Sequence, residues 1–256
     1  MKLLTHAVTC ACAFAALAPV STNADLPQTI ERVKPAVVAI GTFIKTRSPS
    51  SVFVGTGFAV ADGRHVVTNA HVVSRSLDTE KKETYVVLVA SDNEPREAQL
   101  LAVDKDHDLA LLKIAGDALP ALKIGDSAAV HEGQQVAFTG FPLALAFGFH
   151  PATHRATIAS ITPVAMPGMS ARQLSSRMVA RMRETTYTVF QLDGTAYPGN
   201  SGSALYDPES GAVVGIINMV FVRGTRESAI SNPSGISYAI PSAYIADLLR
   251  DNGLAP

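Results

Sequence analysis

The sequence predicts an all-β fold, a sandwich or a barrel, with a short helix near its start and another at its end. Three observations carry this. Short runs rich in β-branched and aromatic residues recur along the chain, several of them separated by Asp, Gly, Asn or Pro. No long helical pattern alternates with them, as a doubly wound sheet would require. Hydrophobic residues make up 47% of the 256 residues and charged residues 17%, a globular balance with ample core.

The first element is a leader. Met1 and Lys2 give a short positive start, and Leu3 to Val20 is mostly apolar but broken by Thr5, His6, Thr9 and Pro19. Small residues then precede Asp25, so residues 1–24 read as an export signal cut after Ala24. The run is too short and too interrupted for a comfortable membrane span. Both cysteines, Cys10 and Cys12, lie inside it. Residues 25–256 therefore offer no disulfide, no thiolate nucleophile and no cysteine-based zinc site. Export with a disulfide-free fold points to a bacterial periplasmic or secreted protein.

Gln28 to Lys34 can form a short helix, which Pro35 closes because proline disfavours helical backbone at the residue before it. From Ala36 the strand runs follow: AVVAIGTFI, FVGTGFAVA, HVVTNAHVV, TYVVLVA, EAQLLAV, DLALLKI, QQVAFTG, AVVGIINMVF and ISYAI. Met169 to Arg183 departs from this pattern. Leu174, Met178 and Met182 align at helical spacing among Arg172, Arg177, Arg181 and Arg183, predicting a basic amphipathic helix that either docks on the surface or touches a membrane or partner. At the end, Tyr244, Ile245, Leu248 and Leu249 repeat at helical spacing before Gly253, predicting a C-terminal helix over 242–251.

The formal net charge of −1 gives no electrostatic case for nucleic acid as a partner. The chemistry has to come from side chains, and no cofactor is implied. YPGNSGSAL, Tyr197 to Leu205, sets Ser201 among glycines. A hydroxyl is a weak nucleophile at neutral pH and needs a base, which in turn needs an orienting acid. His71 follows an apolar strand and a small polar turn in VVTNAHVV, so its ring can reach a cleft. His65, in the turn before that strand, reads as a surface residue. Asp108 stands at the mouth of the strand run LALLKI, where a carboxylate can be partly desolvated and still meet a ring N–H. Asp104 and Asp106 read as turn residues, and His107 as a poor rival base because neighbours on an extended chain point opposite ways. The order His71, Asp108, Ser201 excludes the elbow hydrolases, whose serine comes first, and subtilisin-type chains, whose acid comes first. His150 and His154 in HPATH lack a third ligand at a metal-binding spacing.

With TNAHVV, DLALLKI and GNSGSAL in that order, the chain resembles the trypsin-like serine proteases of the bacterial Deg/HtrA type, from roughly Pro35 to Leu249. VKPAVVAI and GISYAIPS resemble the same group. The resemblance implies two six-stranded antiparallel β-barrels, roughly residues 35–125 and 126–240, with the catalytic residues between them. It implies an oxyanion hole from backbone N–H groups of the Gly199, Asn200 and Ser201 segment, and polypeptide substrates. Thr195 stands where basic-selective members carry an acid. A pocket lined by Thr195, Asn218, Met219 and Val220 suits small or medium apolar side chains. The peptide-binding PDZ modules of the family's chaperone-proteases have no counterpart in the sequence, so their mode of activation is not expected. Two other readings stay open: a silent or latent protease-fold binding protein, and an esterase using the same three residues.

Overall fold

A computed structural model of the chain describes residues 25–91, 95–142, 148–163, 187–218 and 235–256. The expected leader, the basic helix at 169–183 and the pocket residues Met219 and Val220 lie outside the described residues.

Twelve strands close into two antiparallel barrels of six. The first is built from β1 (Val37–Phe43), β2 (Ser51–Val60), β3 (His65–Asn69), β4 (Thr84–Val89), β5 (Arg96–Asp104) and β6 (Leu109–Ile114), in the spatial order β1-β2-β3-β6-β5-β4. The second is built from β7 (Gln135–Gly140), β8 (Ala152–Pro163), β9 (Thr188–Leu192), β10 (Ala204–Tyr206), β11 (Val213–Asn218) and β12 (Ser237–Pro241), in the order β10-β11-β12-β9-β8-β7. Among the described residues closure leaves no long strand edge exposed, which guards a strand-rich chain against edge-to-edge association. The fold class expected from sequence is therefore the one adopted.

Several strands are buried on both faces, which explains why they read as apolar runs and not as alternating ones. Val37 to Ile40 of β1 and Leu109 to Leu112 of β6 are all buried. The first barrel closes around Ile40, Phe58, Leu109 and Leu111; the second around Phe138, Ile158, Phe190, Leu192 and Ile217. Each such side chain contributes about 1.5–3 kcal/mol on burial.

Two helices tie the barrels together. Helix α1 (Leu26–Val33) begins two residues before its expected start and buries Leu26 and Val33. It docks on the second barrel through Thr29 Oγ1 and Arg32 Nη2, which both donate to the Glu209 carbonyl. Helix α2 (Ser242–Asp251) buries Ile245, Leu248 and Leu249 and packs on both β6 and β11. It ends at Gly253, whose φ of 72° is the left-handed conformation that glycine adopts freely.

Candidate active site

β3 carries the chain into a single 3-10 turn, Ala70–Val72, with His71 at its centre. Opposite it, the polar run before β6 folds on itself. The Asp104 carboxylate accepts the N–H groups of Asp106 and His107, at 3.0 and 3.1 Å. That turn delivers Asp108 with a φ of 51°, a left-handed backbone that Asp tolerates better than bulkier residues. The Asp108 carbonyl then accepts Ala70 N–H at 3.0 Å and Asn69 Nδ2 at 3.1 Å.

The Asp108 side chain is directed just as firmly. Its Oδ1 accepts the His71 backbone N–H at 2.8 Å, its Oδ2 meets His71 Nδ1 at 2.6 Å, and Asn218 Nδ2 donates to Oδ2 at 2.8 Å. Of the expected pocket residues, Asn218 thus sets its amide against the carboxylate. Behind Asp108, the phenol of Tyr187 is pushed up to about 12 by burial and by the negative charge of Asp108. It stays a neutral group at every working pH.

His107 belongs to another arrangement. Its Nδ1 is 2.6 Å from Asp104 Oδ2, and its ring stacks on Tyr244 of α2 at 4.0 Å with Tyr187 edge-on at 5.0 Å. His65, expected at the surface, is buried as the first residue of β3, with Nδ1 2.7 Å from Asp62. His154 sits in β8 with its ring stacked on Phe138 at 5.0 Å. Burial pushes its pKa down.

The loop that follows His71 is anchored by a buried carboxylate. Glu83 accepts Thr42 Oγ1 at 2.6 Å, Asp78 N–H at 2.9 Å, and the guanidiniums of Arg47 and Arg75, both at 3.2 Å. The Thr42 hydroxyl, helped by the Asp78 amide and the two arginines, holds its pKa below the usual carboxylate range. Tyr85 adds a bond from its hydroxyl to the Val73 carbonyl at 2.8 Å.

Ser201 comes from the second barrel, between β9 and β10. Asn200 N–H donates to Tyr197 O at 2.9 Å, closing a turn with Pro198 and Gly199 at its centre. Gly199 has a φ of 101°, the positive value that a type II turn needs at its third residue. Gly202 has a φ of 87°, and a Cβ there would lie 1.9 Å from the Thr56 carbonyl oxygen. Both glycines are required by geometry, one for the turn and the other for close approach to β2. Gly202 and Ser203 donate their N–H groups to Ile217 O and Asn200 O. Among the described residues, the N–H groups of Gly199 and Ser201 have no acceptor, and no hydrogen bond joins Ser201 Oγ to His71 Nε2.

Thr195 is half-buried in a segment pinned by Ser237, whose hydroxyl accepts Ala196 N–H at 2.7 Å and donates to Gly194 O at 2.6 Å. The neighbouring Asp193 carboxylate is taken up by Thr157 N–H.

Thr56 is the residue that sequence reading missed. It is fully buried in β2, and its N–H, carbonyl and hydroxyl all bond across the cleft or to β3. Its signal was the flanking pair in VGTGF, since glycines inside a strand mark close approach of other backbone. A Cβ on Gly55 would lie 2.8 Å from Val72 and 3.2 Å from Ser201 O.

Two closed six-stranded antiparallel barrels, with His71 bonded to Asp108 in the first and Ser201 on a turn of the second, have the architecture of a trypsin-like peptidase. The family model described as trypsin-like peptidase domain matches residues 55–216, and the chain belongs to that family. Within it the likeness runs to the Deg/HtrA type. A protein named probable periplasmic serine endoprotease DegP-like from Halomonas elongata is 30% identical over 204 residues, 78% of this chain and 36% of the relative. Its namesake in Marinomonas sp. is 32% identical over 204 residues, and that in Hahella chejuensis 29% over 267 residues, covering 90% of this chain and 50% of the relative. The chain thus spans a third to a half of the length of these curated relatives. A solved HtrA-type protease, AlgW with decapeptide, matches in fold with a TM-score of 0.65 at 22% identity, over 89% of this chain and 67% of that one.

Proposed function

We propose that the chain is a serine endopeptidase in which Ser201 is the nucleophile, His71 the general base and acid, and Asp108 the residue that orients and stabilises His71. The observation that carries this is the Asp108 carboxylate, bonded to both the ring and the backbone of His71. A bond to Nδ1 selects the tautomer that leaves Nε2 as the proton acceptor. Ser201 Oγ attacks the peptide carbonyl while its proton passes to His71 Nε2. The C–N bond breaks as His71 returns that proton to the leaving amine. Water then cleaves the acyl-enzyme by the same relay.

The negative oxygen of the tetrahedral intermediate needs donors already in place, each worth about 3–4 kcal/mol in the transition state. The uncommitted N–H groups of Gly199 and Ser201, which flank Asn200, fill that role. Specificity for small or medium apolar side chains is assigned to Thr195, which stands where basic-selective members carry an acid, and the engagement of Asp193 with Thr157 N–H keeps its carboxylate from selecting basic ones. The curated relatives are named periplasmic, and the leader at residues 1–24 fits export to that compartment. Polypeptides, unfolded ones among them, are the substrates.

The test is digestion of casein by residues 25–256, with Ser201→Ala as control. The expected result is cleavage that falls by about 10⁴–10⁶ in the variant. Labelling of Ser201 by a fluorophosphonate without any proteolysis would point to an esterase or a latent enzyme. Cleavage dominated by Lys or Arg sites would overturn the pocket assignment.

A further inference from the structure

We propose that Thr56 is a positioning residue for the oxyanion-binding turn, coupling the first barrel to the nucleophile of the second. The inference rests on the serine-hydrolase reading above. Thr56 sits in β2 just beyond the last residue paired with β3, since that pairing begins at Phe58 and Val67. Its backbone on that side is therefore available for other partners. Its N–H donates to Ser201 O at 2.8 Å, and its carbonyl accepts Thr68 Oγ1 at 2.7 Å. Its hydroxyl donates to Gly199 O at 2.7 Å and accepts Phe141 N–H at 3.0 Å.

These partners are the informative part. Gly199 and Ser201 supply the two N–H groups assigned to the oxyanion, and Thr56 holds the carbonyl of each. Fixing a residue's carbonyl limits the rotation of the peptide plane that follows it, so bonds to Gly199 O and Ser201 O clamp the turn from both ends. Phe141 N–H, arriving from the end of β7, fixes which way the hydroxyl faces: with one lone pair engaged there, its proton is directed to Gly199 O. Thr68 lies three residues before His71, so the same residue registers the turn against the strand that carries the base. Every other backbone donor between Asn200 and Ser203 is satisfied inside the second barrel, apart from the Ser201 N–H itself. Nothing else among the described residues bonds to the Gly199 carbonyl.

The surroundings are built to admit this hydroxyl. A Cβ on Gly140 would lie 3.0 Å from Thr56 Oγ1 and 1.9 Å from Ser203 Oγ, so only glycine leaves the space. The carboxamide of Asn200 and the hydroxyl of Ser203 are buried alongside with no partner among the described residues, which leaves Thr56 as the side chain that ties the turn down there.

The experiment compares wild type, Thr56→Val, Thr56→Ala and Thr56→Ser. Active sites are titrated with a fluorophosphonate, then kcat and KM are measured on a peptide ester and affinity on a peptide boronate. Thr56→Val keeps the shape and removes the hydroxyl; Thr56→Ala removes it without a branch to misplace. Both are expected to lose about 10- to 100-fold in kcat per titrated site, with KM within about twofold and a matching loss of boronate affinity. Thr56→Ser is expected to recover to within about threefold of wild type. Loss of active fraction and of Tm, with wild-type kcat at the sites that remain, would overturn the proposal and leave Thr56 a packing residue. So would a Thr56→Ser variant as slow as Thr56→Val. A wild type that the fluorophosphonate does not label would instead overturn the hydrolase reading on which this one stands.

Discussion

The two barrels hold the proposed catalytic groups in different ways. In the first, His71 and Asp108 form a finished unit: backbone, ring and carboxylate are bonded to one another, with the Asp104 turn and the Glu83 network supporting the loops on either side. In the second, Ser201 hangs on a turn whose own barrel secures only part of its backbone, and whose Gly199 and Ser201 carbonyls are held by Thr56 of the first. Asn218 reaches back the other way, from β11 to Asp108. The difference teaches that the proposed acid–base pair is built within the first barrel and braced from the second by Asn218, whereas the proposed nucleophile and oxyanion site depend on the register between the two.

That contrast can be broken first at its strongest point. Asp108→Asn keeps the size of the side chain but presents an amide to His71, and it is expected to lower kcat by about 10⁴, read from steady-state hydrolysis of a peptide ester. Glu83→Ala strikes the same barrel from behind. It removes the acceptor of the Thr42 hydroxyl, the Asp78 N–H and the two arginines, and is expected to cost about 1–3 kcal/mol of folding stability in a denaturant titration. The same group sets an acid limit. Its folded pKa is depressed, so its stabilisation is present above the ordinary value of 4.5 and is lost as pH falls through the folded one.

Smaller effects sharpen the comparison. Asn218→Ala removes one of three bonds to the Asp108 carboxylate and is expected to cost about tenfold in kcat with KM nearly unchanged. His154→Phe tests the second barrel alone. Burial holds the histidine neutral, so the unfolded chain takes up a proton that the folded chain resists, and stability falls as pH drops below about 6.5. The variant is expected to flatten that slope below about pH 6.5, measured as Tm against pH.

Much of this was legible in the sequence, and unevenly. The runs around β1, β6 and β11 are apolar on both faces and announce themselves, as do Pro35 and Gly253 at the helix ends. Three strands of the second barrel gave weaker signals. β8 reads ATHRATIASITP, where Thr, His, Arg and Ser dilute the pattern, and pairing along both edges, with β7 and β9, makes it a strand. β10 has only three residues, and β9 only five. His71, Asp108 and Ser201 stand out because each sits at the end of a strand run with small or polar neighbours. Thr56 and the contact of Asn218 with Asp108 do not, because both depend on which loops the two barrels bring face to face. His65 was misjudged for a local reason: the turn before it is polar, but its ring folds back to Asp62 and is covered.

The account stands or falls on whether a base held in the first barrel activates a serine held in the second. The direct measurement is the rate of fluorophosphonate labelling of residues 25–256, with the adduct located by mass spectrometry, in wild type and in His71→Ala. The account predicts a single adduct on Ser201 and a rate at least about 10³-fold lower without His71. Labelling at another residue, or labelling of Ser201 that is indifferent to the loss of His71, would contradict it.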